Sequence, residues 1–224
     1  MPRFARVVIP GCPHHITQRG NARRAVFFTR ADRQVYLGLL KQYAELYALD
    51  VLGYCLMTNH VHLVVTPLAC TSLGKTLREV NMRYSQYRNA IEQANGHLWQ
   101  ARFYSCPIDP TRLDTVMRYV ELNPVKAGIV TEAERYPWSS AAAHLGGSDR
   151  SNMLAMTDWF EDWTGRKWAQ VLRSGADESV AIREATYSGR PLGSDAFVER
   201  LEQFLDRRLR RRPPGRPRGE GKGG

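Results

Sequence analysis

The chain has 224 residues, 43% of them hydrophobic, and a formal net charge of +10. That length suits one ordinary domain plus an appendage, with apolar material for a sizeable core. The basic excess is concentrated: residues 207–224 hold eight Lys or Arg and one acid, Glu220, leaving about +3 for everything before them, so a polyanionic partner gripped by a basic tail is expected rather than a uniformly basic surface. No run of eighteen apolar residues exists, and Met-Pro-Arg-Phe-Ala-Arg lacks the apolar stretch of a signal peptide. No membrane partner and a cytoplasmic location, nucleoid-associated when bound to DNA, are the expectations.

Taken in chain order, Val7-Val8-Ile9 through His14-His15-Ile16-Thr17-Gln18-Arg19 reads as a first strand, 7–19, which Gly20-Asn21 ends as a turn. Arg23 and Arg24 follow, so cationic groups ring the strand end. Residues 32–49 carry Val35, Leu39, Leu40, Tyr43, Leu46 and Tyr47 on one stripe, the pattern of an amphipathic helix. Val51–Met57 and His60–Val65 are two strands joined by Thr58-Asn59, a hairpin closed by Pro67. A longer helix spans 72–95, with Ser72 as N-cap and Gly96 as its stop. His97–Ser105 alternates as a fourth strand, and a third helix runs from Thr111 to Asn123, before Pro124.

Strand, helix, strand, strand, helix, strand, helix is an α+β order of ferredoxin-like type, an antiparallel sheet with packed helices. Its apolar face would bury the helices and leave the histidine face open to substrate. After Tyr136-Pro137-Trp138-Ser139-Ser140 the chain turns rich in Ala, Gly and Ser over 141–151, as a linker does. Three parts are therefore expected: a main domain over 1–147, a small helical region over 148–206 that docks on it, and a basic disordered tail over 207–224. In the helical region Trp159, Phe160 and Trp163 form a short stripe, and Ser194 caps a last helix carrying Phe197, Leu201, Phe204 and Leu205.

The chemistry centres on Asn59-His60-Val61-His62-Leu63-Val64-Val65. Alternation along a strand points His60 and His62 to one face and Val61, Leu63 and Val65 to the other, with the two imidazoles about 7 Å apart. Such a pair grips a divalent cation or flanks a phosphate, though His-x-His also occurs as plain strand structure. On the third helix Arg112, Tyr119 and Asn123 fall within about 40° of one another at 100° per residue. A phenol beside a metal-bound phosphate can attack a phosphodiester; a tyrosine ring packed at a helix–sheet seam is the competing reading. Two imidazoles and an amide oxygen leave positions for phosphate and water, which suits Mg²⁺ or Mn²⁺. The four cysteines (Cys12, Cys55, Cys70, Cys106) form no Cys-x-x-Cys pair, against a zinc knuckle or a disulfide framework.

Five stretches in order carry a family likeness: His14–Asn21 (HHITQRGN), Met57–Val65 (MTNHVHLVV), Trp99–Phe103 (WQARF), Arg118–Gly128 (RYVELNPVKAG) and Tyr136–Ser140 (YPWSS), with Gly189–Gly193 (GRPLG) beyond them. The chain resembles the REP-associated tyrosine transposases, single-tyrosine nucleases of the superfamily named for its histidine–hydrophobic–histidine motif. The resemblance covers about two-thirds of the sequence. It implies that His60 and His62 bind metal and that Tyr119 attacks single-stranded DNA, giving a 5′-phosphotyrosine and a free 3′-hydroxyl. Asn123 stands where relatives place a polar metal ligand, often Gln. Hairpin-flanked sites of REP type are then the substrate, cut and rejoined without ATP. For DNA contacts Arg19, Arg23, Arg24, Arg102 and Arg112 are the candidates, with Trp99 as a base-stacking platform and Arg207, Arg208 and Arg216 in the tail. A monomer is expected over a homodimer. The rival reading is a hairpin-binding regulator that keeps the fold and does not cut.

Overall fold

The computed structural model describes residues 6–174 and 177–210. Most of the basic tail, residues 211–224 with Arg216 among them, lies outside the described residues, as does the side chain of Phe160.

The two Val-rich runs form the expected hairpin, β2 (Leu49–Met57) and β3 (His60–Pro67). β1 (His14–Arg19) pairs antiparallel with β3, and β4 (Tyr104–Pro107) pairs antiparallel with the other side of β1. The sheet order is β2-β3-β1-β4. With α1 (Arg30–Leu46) after β1 and α2 (Ser72–Glu92) after β3, this is the ferredoxin-like β-α-β-β-α-β arrangement. α1 opens on a capping box, Thr29 accepting from the Asp32 amide while Asp32 accepts from the Thr29 amide. Tyr36 and Leu40 of α1 and Leu73, Leu77, Val80 and Tyr84 of α2 cover one sheet face, closing over Ile16, Val61, Leu63 and Val65.

Three boundaries depart from the sequence pattern. Residues 6–13 are irregular rather than strand; Val7, Ile9 and Cys12 instead pack against Phe197, Leu201 and Leu209. α2 stops at Gln93, which takes the left-handed conformation (φ 48°), three residues before Gly96. The fourth strand is only Tyr104–Pro107: residues 97–103 bend and sink Leu98, Trp99 and Phe103 into the core, and Trp99 keeps a single bridge to Gly20.

The histidine face is not open. α3 (Leu113–Glu121) lies across it, followed by the one-turn α4 (Asn123–Lys126), whose first turn holds Pro124, where a missing N–H costs nothing. α5 (Ala141–His144), α6 (Thr157–Asp162), α7 (Gly165–Arg173) and α8 (Ser179–Ser188) complete this second layer. Met57 and Val64 of the sheet, Val116, Met117 and Val120 of α3, and Trp159, Trp168, Leu172 and Ile182 beyond share one core. Gly53 on β2 permits the approach, because a Cβ there would sit 2.3 Å from Met117 Sδ.

The Ala-rich stretch after Ser140 is bound in, not a linker. Glu121, fully buried, accepts from His144 Nδ1 (2.5 Å), Ser140 Oγ (2.6 Å) and Trp168 Nε1 (2.8 Å), tying α3, α5 and α7 together. α9 (Asp195–Leu205), capped by Ser194, ends the regular structure. Residues 207–210, read above as the start of the tail, are packed: Leu209 is buried, and its amide and that of Arg210 donate to Glu202. Among the described residues no helix is long and apolar enough to cross a membrane.

Candidate active site

Register decides which side chains meet. Arg19 stands opposite His60, Thr17 opposite His62 and His15 opposite Val64, so one sheet face carries His15, Arg19, His60 and His62 together. β4 adds Cys106 beside His15 and Tyr104 beside Thr17. His14 goes to the other side of the strand, where its Nδ1 donates to Cys12 O (2.7 Å) and its Nε2 accepts from the Ile9 amide (3.3 Å).

Tyr119 of α3 faces this row. Its ring stands edge-on to His62 at 5.4 Å between centroids and to His15 at 5.7 Å. His60 and His62 are 5.0 Å apart, ring to ring, and His15 stacks on His62 at 5.2 Å. His62 Nδ1 and His15 Nε2 share a 3.0 Å hydrogen bond, and His15 Nδ1 meets Thr186 Oγ1 of α8 at 2.7 Å. His60 Nδ1 donates to Asn59 Oδ1 (2.7 Å), whose Nδ2 donates to Arg23 O (2.9 Å). That pairing leaves the lone pair of His60 on Nε2.

Burial keeps these imidazoles neutral. It pushes His15 down to about 3. Burial and then Arg19 push His60 down to about 4. His62 is held well below its ordinary value by burial and then by the neighbouring His60, His15, Arg19 and Arg183. Neutral imidazole is the form that ligates metal. Burial raises the Tyr119 phenol, and Arg183 of α8 opposes that rise most strongly.

Of the expected ligands, His60 and His62 lie together, while Asn123, at the start of α4, donates its Nδ2 to Tyr119 O (2.8 Å) and so keeps Oδ1 as an acceptor. The donor set, two neutral imidazoles and one amide oxygen, fits a divalent cation that retains water and phosphate positions. Among the described residues no three His, Cys, Asp or Glu side chains converge as a metal cluster.

The DNA-contact candidates divide. Arg23, Arg24 and Arg102 are exposed, Arg24 donating to His97 O (3.1 Å), and Arg19 is half-buried beside the histidines. Arg208 is exposed and Arg207 half-buried near the end of α9. Trp99 is corrected: it is buried, its ring lies 6.2 Å from Tyr36 and 6.0 Å from Tyr84, and its Nε1 donates to Asn81 O, so no face is free for a base. Arg112 is corrected too. It lies in the turn Pro110–Arg112 before α3 rather than on the helix, and its guanidinium is held by Glu178.

The family model for IS200-like transposases matches residues 9–123, from before the first histidine pair to Asn123. The chain belongs to the IS200-like transposase family. This transposase is also similar to the solved structure of a REP-associated tyrosine transposase bound to a REP hairpin, with a TM-score of 0.57 and 18% identity over 65% of this chain and 86% of that one. A transposase candidate from Deinococcus radiodurans R1 overlaps with 16% identity over 53% of this chain and 95% of that one, at a TM-score of 0.34. No curated protein matches the chain.

The transposase holds site residues that the sequence reading did not assign. His15 stands two and four positions from Thr17 and Arg19 on β1, and only the register against β3 brings it to the His60 and His62 side. Thr186, Arg183 and Tyr187 come from α8, and nothing in their local pattern says which surface α8 covers.

Proposed function

We propose that this transposase cuts and rejoins single-stranded DNA at hairpin sequences of REP type through a 5′-phosphotyrosine on Tyr119, with a divalent cation (Mg²⁺ or Mn²⁺) held by His60, His62 and Asn123. The observation that carries the reading is the phenol of Tyr119 set edge-on at 5.4 Å to His62, the inner member of a paired, neutral histidine motif. Tyr119 Oη forms a bond to phosphorus as the bond from phosphorus to the 3′-oxygen breaks. The phenol proton leaves to water and the departing 3′-oxygen takes one up. Rejoining reverses this with a 3′-hydroxyl as nucleophile, so the bond energy is conserved. The bound cation supplies charge stabilisation at the phosphate. Arg183 and Arg19 favour the phenolate, while Arg23, Arg24 and Arg102 offer exposed cations for the strand's backbone. The protein acts as a monomer.

The test is incubation with hairpin oligonucleotides from the gene's own flanks and Mn²⁺, followed by denaturing gels. A covalent adduct is expected, with the phosphate on the tryptic peptide Tyr119–Lys126. One observation favours a second reading, a hairpin-binding regulator that does not cut: Tyr119 is only 8% exposed and His62 only 4%. Tight hairpin binding with no adduct under any divalent cation would decide for the regulator.

A further inference from the structure

The hydrogen-bond chain behind His62 runs away from the metal side, out of the sheet and into α8. Its first link fixes the rest. Thr186 Oγ1 lies 2.7 Å from Ile182 O in its own helix. A carbonyl has no proton, and two oxygens this close need one between them, so the hydroxyl hydrogen of Thr186 points to Ile182 O. Toward its other neighbours Thr186 Oγ1 is then an acceptor only. It takes the Nδ1 proton of His15 at 2.7 Å and, at 3.4 Å, the thiol proton of Cys106. His15, neutral with its proton on Nδ1, presents a lone pair on Nε2. At 3.0 Å that lone pair accepts the Nδ1 proton of His62. What remains on His62 is an unprotonated Nε2.

We infer that Thr186 and His15 are positioning residues that set the tautomer of His62, so that its Nε2 lone pair faces the cation site before any cation arrives. In free histidine the Nε2–H tautomer predominates, and that form has no lone pair to give from Nε2. Asn59 does the same for His60 from the other side, accepting its Nδ1 proton at 2.7 Å. Hydrogen bonds behind metal-binding imidazoles commonly work this way. Here the chain ends on a hydroxyl of the C-terminal helical region, 124 residues from His62 along the sequence. The inference rests on the reading of His60 and His62 as cation ligands.

Protein labelled with ¹⁵N at histidine, free of metal, reports the tautomer directly in long-range ¹H–¹⁵N spectra. His62 is expected as Nδ1–H in the wild type and in Thr186→Ser, which keeps the hydroxyl. In Thr186→Val, similar in shape but without the acceptor, the His62 proton should move to Nε2, wholly or in part. Mn²⁺ affinity by calorimetry should fall about 10–100-fold in Thr186→Val and stay within about threefold in Thr186→Ser. A merely structural Thr186 would alter melting temperature but neither the tautomer nor the Mn²⁺ affinity. Should Thr186→Val not fold, His15→Phe against His15→Gln makes the same contrast, since only Gln keeps an acceptor for His62. An Nε2–H tautomer of His62 in the wild type, or wild-type tautomer and affinity in Thr186→Val, overturns the inference. The spectra need no metal, so they stand apart from failure of the metal reading, which His62→Ala with undiminished Mn²⁺ affinity would show.

Discussion

The two faces of the sheet are built from the same strands and by opposite rules. Under α1 and α2, Ile16, Val61, Leu63 and Val65 meet apolar side chains with Tyr84 Oη as a polar exception, donating to Val26 O at 2.7 Å. Under α3 and α8, alternate residues of the same strands are His15, Arg19, His60 and His62, and the layer above supplies Tyr119, Thr186 and Arg183. His15, His62 and Thr186 are nearly as buried as the first face, while Arg19 and His60 are half-buried. One face stabilises by excluding water; the other spends that exclusion on keeping imidazoles neutral and their hydrogen bonds directional.

Tyr119→Phe gives the sharpest contrast. The ring stays, so melting temperature should shift little, while cleavage of hairpin substrates falls to background and hairpin affinity stays within a few-fold. Robust cutting by the Phe variant, or an adduct on Tyr84 or Tyr87, would remove Tyr119 from the chemistry. Neighbouring positions on β3 come next. Leu63→Ala should cost about 2–5 kcal/mol in chemical denaturation, yet leave Mn²⁺ affinity intact in the folded fraction. His62→Ala should abolish Mn²⁺ binding in calorimetry. Because His62 is buried under α3, its truncation also opens a cavity, contrary to what an open histidine face would imply; His60→Ala, at a half-buried site, should cost less stability. If both histidine variants bind Mn²⁺ normally, the two faces differ only in polarity.

Glu121→Ala should cost about 3–5 kcal/mol, since it strands the buried donors of His144 and Trp168 and leaves Ser140 Oγ only the longer contact to Tyr54 O. A loss under about 1 kcal/mol in urea titration would mean that the second layer is held by apolar contact alone.

The smallest effect is a pH dependence at the strand's start. Burial pushes His14 down to about 4, so it is neutral in the fold, whereas the unfolded chain takes up a proton near 6.5. Stability from this site is therefore full above about 6.5 and is lost as pH falls toward about 4. His15 and His60 act in the same direction, so His14→Gln should flatten the dependence of melting temperature on pH only in part. An unchanged slope would mean that His14 is protonated in the fold.

The ferredoxin-like half was readable because its signals are local. Val51–Met57 and His60–Val65 alternate around a two-residue turn, and α1 and α2 carry long stripes at helical spacing. Alternation misled at 97–103, where Trp99 and Phe103 are both buried by a bend rather than by strand pairing. The site was half readable. His60, His62 and Tyr119 stand out by type and spacing, but spacing leaves a structural reading open for each and their roles come from the family resemblance. Assigning His15 needs the register of β1 against β3, a relation between positions 47 residues apart. Thr186 and Arg183 need more still, because an amphipathic helix specifies that one side is buried but not against what. Trp99 and Arg112 failed for the complementary reason: residue type suggested nucleic acid, and packing or an ion pair had already claimed the side chain.

The contact between Gly53 and Met117 bears on how such sequences can drift. Met117 is fully buried, and Ser140 Oγ, 3.0 Å from where a Cβ on residue 53 would stand, is held by Glu121. The end of the Met117 side chain has to turn aside for any residue larger than glycine at 53, and the fully buried space around it limits how far it can go. Enlarging residue 53 therefore presses on α3, which also carries Tyr119, two positions beyond Met117. Across homologous sequences the two positions should exchange volume, a larger residue at 53 appearing only with a smaller one at 117. A site far from any reacting atom would then be read in alignments as a compensating pair whose shared constraint is the distance between a phenol and an imidazole.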